Sequence, residues 1–483
     1  MVFSGLIFVF AFLVLTYSVY LLTPGIRARN VILLSSSLIF YGWGGPSLLI
    51  LLIGMTRICY EGGQLIERVP ARRRLWLILT LGLCLGLLGV FKYTGFFLTN
   101  LQAIFGVPTS IPHIPLPIGI SFYTFQLISY VMDVYRGEVP AQRRFWLLLL
   151  YASLFHQCIA GPIIRYRDIN EELGDRQITR EASARGITRF ACGLAKKAIL
   201  ANGCAAMVSE LVERPASLTS VSSMGILLAA VGYMLEIYLD FSAYSDMAIG
   251  MGLMIGFHYR ENFRYPYIAD SVTDFWRRWH ISLSSFFRDY VYIPLGGNRV
   301  GKLKQAANLL TVWLLTGLWH GASWNFILWG LYYFILLFIE KFLFRISKAP
   351  SRGIRRVLRT LYTLVAVLFG WMLFYYTDLS AFLCACKSLF GLNGNPVVDM
   401  TVRSVFLGNV AFLAVATLAC TPIIPAIGRA VERLRARKPA GVFPRIGITV
   451  YDAATAVIPA GLLLLSLLCL VGDSYNPFLY FQF

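Results

Sequence analysis

Apolar runs of membrane-spanning length, separated by short clusters of arginine and lysine, extend along the whole chain and leave few folds open to it. A helix needs roughly 20 apolar residues to cross a bilayer, and runs of that length recur from residues 2–22 to 447–471. Of the 483 residues, 58% are hydrophobic and 14% charged, which excludes a soluble globular chain and a disordered one. The chain therefore reads as an all-α polytopic membrane protein. Its 43 basic and 24 acidic residues give a net charge of +19. That excess lies in short loops between apolar runs, as the positive-inside rule produces, and no nucleic-acid-binding motif accompanies it. The nine cysteines fall mostly within apolar runs and read as small buried hydrophobes. Cys384 and Cys386 lack the spacing of a redox or zinc pair, so no metal is expected. The first run has no basic segment before it and no small-residue cleavage site, and reads as a retained span.

Placing every basic cluster in the cytoplasm gives a consistent topology with both termini outside. Arg27 and Arg29 end the first span, and GWGGP at 42–46 breaks the second run into a hairpin or re-entrant pair. Residues 75–97 cross outward, and 116–135 return. Residues 145–164 have basic flanks on both sides and should dip in and return. Residues 198–213 and 223–240 form a pair of spans, the second interrupted by DFSAYSD. Residues 259–304 are too polar to span and should lie on the cytoplasmic face as an amphipathic segment. The run 307–344 is long enough for two spans, and 360–377, 404–422 and 447–471 complete the set. Segments 345–359 and 429–445 read as solvated connectors, and 472–483 as an extracytoplasmic aromatic tail. No internal repeat or second domain is evident, so residues 1–483 read as one integral unit.

An ionisable group at membrane depth marks a candidate functional site. His320 lies 16 residues beyond Lys304, on the order of 20 Å of helix rise, near the middle of a bilayer. It sits in LWHGASWN beside small residues and near Asn325. One reading is a structural histidine hydrogen-bonded between helices. The other is a general base for a hydroxyl, or a relay for a thioester, in a dry site that spares the acyl donor from hydrolysis. His280 lies in DFWRRWHISLSSFF, where Phe275, Trp279 and Leu283 share one face of an amphipathic helix. The arginines there would draw in a polyanionic donor such as a CoA thioester. Asp240 and Asp246 are six residues apart, which separates them on a helix and argues against a carboxylate dyad; one of them pairing with an arginine is the plainer expectation. Arg165 and Arg167 after IAGP read as a basic helix flank. No serine-hydrolase elbow or phosphate-binding loop is present. A transporter would also use membrane histidines, but no inverted repeat supports one.

Six stretches together resemble the membrane-bound O-acyltransferase superfamily, and within it the bacterial alginate-acetylase-like branch. They are LPIGISFYTFQLISYVMDVYRG (116–137), IAGPIIRYRDI (159–169), YLDFSAYSDMAIGMGLMIGF (238–257), ENFRYPY (261–267), DFWRRWHISLSSFFRDYVYIPLGGNR (274–299) and GLWHGASWNFILWG (317–330). The resemblance implies about eleven transmembrane helices, with re-entrant or interfacial ones, around a central funnel. It makes His320 the catalytic histidine and His280 the second family histidine. It implies an O-acetyltransferase of the bacterial inner membrane with no bound cofactor. Acetyl-CoA would be the donor substrate, docking around Arg277, Arg278, Trp279, Arg288 and Asn325. The acetyl group would pass to a periplasmic SGNH-type transferase that modifies an extracytoplasmic polysaccharide. A D-alanyl or lipid acyltransferase of the same fold is the nearest alternative. YNPFLYFQF resembles an aromatic terminal motif in which a tyrosine, here Tyr480, serves as acyl relay; an interfacial aromatic anchor is the competing reading. That ending differs from the longer C-terminal region expected of alginate enzymes and favours cellulose or peptidoglycan over alginate.

Overall fold

The computed structural model describes residues 2–106, 114–159, 161–214, 218–344, 351–437, 442–472 and 478–479, so Tyr480 lies outside the described residues. All regular structure among these is helical. In chain order the helices are α1 (Ile7–Leu22), α2 (Ile26–Gly42), α3 (Pro46–Arg68), α4 (Arg73–Phe105), α5 (Ile120–Arg136), α6 (Phe145–Ser153), α7 (Tyr166–Gly174), α8 (Arg180–Glu213) and α9 (Ser223–Met254). They continue with α10 (Val272–Arg278), α11 (Ile281–Phe287), α12 (Lys302–His320), α13 (Trp324–Leu343), α14 (Gly353–Tyr375), α15 (Leu379–Leu389), α16 (Met400–Ala419), α17 (Ile423–Ala436) and α18 (Val442–Gly472). Eight helices among the described residues are long and apolar enough to cross a membrane. The other apolar runs fold as shorter helices: α5 has 17 residues and α6 only nine. The break at GWGGP is a turn in which Gly45 has a φ of +152° and Pro46 opens α3.

Three features of the fold differ from the sequence reading. Arg180–Glu213 is one long helix, where residues up to 197 had read as a cytoplasmic stretch. DFSAYSD does not interrupt α9, which is continuous over 32 residues. One cause explains both, because the charges of each helix meet on the other. Lys197 pairs with Asp240 at 3.0 Å, Lys196 with Asp246 at 2.6 Å, and Arg189 with Asp246 at 2.8 Å. Both aspartates therefore pair with cations, where one such partnership had been expected. Small residues allow the close approach this needs; a Cβ on Gly186 would lie 2.6 Å from the carbonyl of Gly250. Thirdly, α15 and α17 are helices within segments that had read as loops.

The long run 307–344 is a helical hairpin, α12 and α13, turning at Gly321–Ser323. Two glycines set how closely it packs. Gly317 lies against the carbonyl of Phe326, and Gly330 against that of Trp313. A methyl group at either position would overlap a backbone oxygen that cannot swing aside. We expect Gly317→Ala to force the hairpin apart, at a cost of about 1–3 kcal/mol. Thermal unfolding in detergent checks this; an unchanged transition would place the crossing elsewhere.

Candidate active site

His320 is the last residue of α12 and is 4% exposed. A helix end leaves carbonyls without partners inside the helix, and α4 supplies partners for two of them here. Tyr93 donates its hydroxyl to the carbonyl of Leu318 at 2.6 Å, and Lys92 donates to that of Trp319. Aromatic rings enclose the imidazole, with the centroids of Trp329 and Phe374 5.0 and 5.1 Å away. A cavity of about 100 Å³ opens on His320 and is lined by Lys92, residues 116–122, Ile159 and Trp319.

His280 sits at a break in the backbone. Its φ of +44° ends α10 and opens α11, so the amphipathic helix expected through Phe275, Trp279 and Leu283 is two short helices instead. The loop residue Asn262 holds this hinge. Its Oδ1 accepts the backbone N–H of Ser282 at 3.1 Å and the hydroxyl of Ser282 at 2.8 Å, which identifies that atom as the oxygen. His280 Nδ1 lies 3.2 Å from the same oxygen and must therefore donate to it. The tautomer follows: Nε2 carries the lone pair, and it has no hydrogen-bond partner among the described residues. Burial pushes the imidazole down to about 3, so it is neutral at neutral pH. The indole of Trp319 lies between the two histidines, 5.6 Å from His280 and 4.9 Å from His320 by ring centroids.

The expected donor residues do not form one funnel. Arg277 borders a cavity of about 600 Å³ between α10, α12 and α13, together with Trp276, Trp313 and Lys341. Arg278 borders one of about 620 Å³ with Arg189, Lys196, Asn262, Arg264 and Arg429. Arg288 borders a third, of about 360 Å³, with Arg165, Arg260, Arg264 and Ser282. The last two share Glu261 and Arg264 and flank the hinge that carries His280. Arg288 is also committed to Asp289 at 2.6 Å, as is Arg165. Burial alone would raise the Asp289 carboxyl, but hydrogen bonds from Arg288 and Arg165 hold it below the usual carboxylate range. Trp279 is a core residue, stacked on Phe275 and packed on Trp371, and so supports the hinge instead of lining these cavities. Asn325 is buried, with its amide toward the carbonyls of Phe374 and Leu373 at 3.4 and 3.5 Å.

Two features escaped the sequence reading. Lys92 is a lone cation inside the apolar run 75–97, a signal that was present and passed over. The other is the chain's end. Phe478 is fully buried, stacked on Tyr244 at 4.0 Å and 5.7 Å from Phe241, and the Leu479 N–H donates to Asp240 Oδ2 at 2.9 Å. Phe241 in turn meets His280 edge-on at 4.6 Å.

Comparison with known proteins fits this arrangement. The pattern that defines the membrane-bound O-acyltransferase family matches residues 141–385. A probable alginate O-acetylase of Azotobacter vinelandii is 38% identical over 512 aligned positions, covering all of both chains. A peptidoglycan O-acetyltransferase of Helicobacter pylori is 34% identical, over 85% of this chain and 84% of its own. A teichoic acid D-alanyltransferase of Bacillus subtilis is 31% identical over 53% of this chain and 68% of its own. The protein belongs to the membrane-bound O-acyltransferase family and, within it, to the alginate O-acetylase-like branch. It is a multi-pass membrane acyltransferase. The alginate relative aligns over its full length, so the C-terminal region gives no ground for setting alginate aside.

Proposed function

We propose that this protein is a bacterial inner-membrane O-acetyltransferase that takes acetyl from cytoplasmic acetyl-CoA and passes it outward for O-acetylation of an extracytoplasmic polysaccharide. The observation that carries the donor assignment is the pair of cation-rich cavities meeting at Arg264 beside the His280 hinge. Arg189, Lys196, Arg264, Arg278 and Arg429 outnumber Asp246 and Glu261 in the larger one, as phosphate groups of CoA require. His320 acts as general base on the acceptor hydroxyl. His280, neutral and with Nε2 free to accept, orients donor or acceptor. Acetyl-CoA is a substrate, and no bound cofactor is needed.

The acyl group leaves through Tyr480 to a periplasmic SGNH-type transferase, with both termini extracytoplasmic. Support for the relay comes from its neighbours, since Phe478 and Leu479 are held against α9 one ring away from His280. Alginate, peptidoglycan and cellulose are the candidate polymers; relatives bearing the names alginate O-acetylase and peptidoglycan O-acetyltransferase favour the first two.

The test uses protein in lipid nanodiscs with acetyl-labelled acetyl-CoA. We expect CoA release and label on the protein that is lost in Tyr480→Phe. Release from a D-alanyl carrier-protein thioester and not from acetyl-CoA would overturn the donor assignment. Label retained in Tyr480→Phe would overturn the relay.

A further inference from the structure

Lys92 is an ionisable side chain at membrane depth whose cavity holds no carboxylate. It lies 13 residues from the end of α4, roughly 20 Å of helix rise inside it. No carboxylate lines its cavity, and among the described residues no acidic group pairs with it. An ammonium has three donors. One goes to the carbonyl of Trp319 and a second to Ser121 Oγ at 3.3 Å. Capping α12 therefore accounts for one donor, and a neutral amide would serve for that. It does not account for placing an ionisable amine where burial penalises charge. The third donor is left for the cavity, whose wall includes His320. The first turn of the 17-residue α5 borders the same space, and its macrodipole adds positive potential there. A confined, positive alcove against a general base is built for negative charge that arises during reaction.

We propose that Lys92 is a catalytic residue whose ammonium donates a hydrogen bond to the oxyanion formed when a hydroxyl attacks the acyl carbon beside His320. This rests on the acyl-transfer role given to His320 above. The hydroxyl oxygen bonds to the thioester carbon, its proton passes to His320, and the carbonyl electron pair moves onto oxygen. Lys92 keeps its proton throughout. When the carbonyl re-forms, the carbon–sulfur bond breaks and His320 returns the proton to the thiolate. Thioester and alcohol become ester and thiol.

The experiment compares wild type, Lys92→Gln and Lys92→Arg in nanodiscs, reading kcat and KM for CoA release with a hydroxyl acceptor. Glutamine can still donate to the Trp319 carbonyl. A structural role therefore predicts little change, and loss of charge predicts a kcat about 100-fold lower with KM within about twofold. Arginine keeps the charge and should recover most of that loss. A Lys92→Gln kcat within about threefold of wild type would overturn the assignment. A second readout needs no turnover: affinity for a pantetheine-linked methylphosphonate, which mimics the anion on the arm that CoA and carrier-protein thioesters share, against its neutral ketone analogue. We expect wild type to favour the anion and Lys92→Gln to lose that preference; an unchanged preference also overturns it. Wild-type inactivity with acetyl-CoA, by contrast, would count against the acetyl donor alone, since the binding comparison still reports on Lys92.

Discussion

His320→Ala is expected to reduce CoA release by about 10³-fold or more while leaving the helical bundle folded. The two halves of that statement rest on different contacts. The end of α12 is held by Tyr93 and Lys92 through backbone carbonyls, and its approach to α13 by Gly317 and Gly330. None of these involves the imidazole. Removing the ring leaves a hole among Trp329, Phe326 and Phe374, which costs about 1–3 kcal/mol, tolerable in a bundle of this size. Catalysis has no such redundancy. His280 is fixed by Asn262 with its own N–H already donated, and the indole of Trp319 stands between the two rings. It cannot swing in as a substitute base. Turnover measured beside a melting curve separates the two effects. A variant that keeps a tenth of wild-type kcat would remove His320 from the proton-transfer step.

The membrane architecture was legible, and His320 stood out, because each is a local contrast: an apolar run against a basic loop, or an ionisable group inside an apolar run. What was not legible depends on partners distant in sequence. Nothing in WRRWHIS forbids a continuous helix; the break at His280 is imposed by Asn262, 18 residues earlier. Asp240 and Asp246 looked like an interruption because their partners, Lys197 and Lys196, lie on another helix. Three arginines close together in sequence seemed to mark one funnel, yet the hinge turns them toward three cavities, and Asp289 neutralises Arg288. Lys92 was the opposite case, a visible contrast whose meaning emerged only with His320 across a shared cavity.

Asp240→Ala is expected to be the most destabilising single change away from His320, and to free the end of the chain. The Asp240 carboxylate is 1% exposed and has two tasks. One oxygen faces Lys197, itself 3% exposed, and the other accepts the amide of Leu479. Removing one partner of a buried ion pair costs about 3–5 kcal/mol, because the remaining charge stays in a low-dielectric interior. The lost acceptor also weakens the seat of Phe478 between Tyr244 and Phe241. Thermal unfolding reads the first effect, and hydrogen exchange of the C-terminal peptide reads the second. A double variant tells them apart. Adding Lys197→Met to Asp240→Leu replaces the ion pair with apolar volume, which is often neutral or stabilising. Stability should then return while the terminal peptide stays unprotected, because no oxygen remains for the Leu479 amide. If the relay through Tyr480 is correct, that double variant should still release CoA slowly to water yet transfer at least tenfold less acetyl to an external acceptor, an order-of-magnitude loss typical of a misplaced reacting group. Protection of the terminal peptide in both variants would mean that Asp240 does not hold the tail, and its role would reduce to the pair with Lys197.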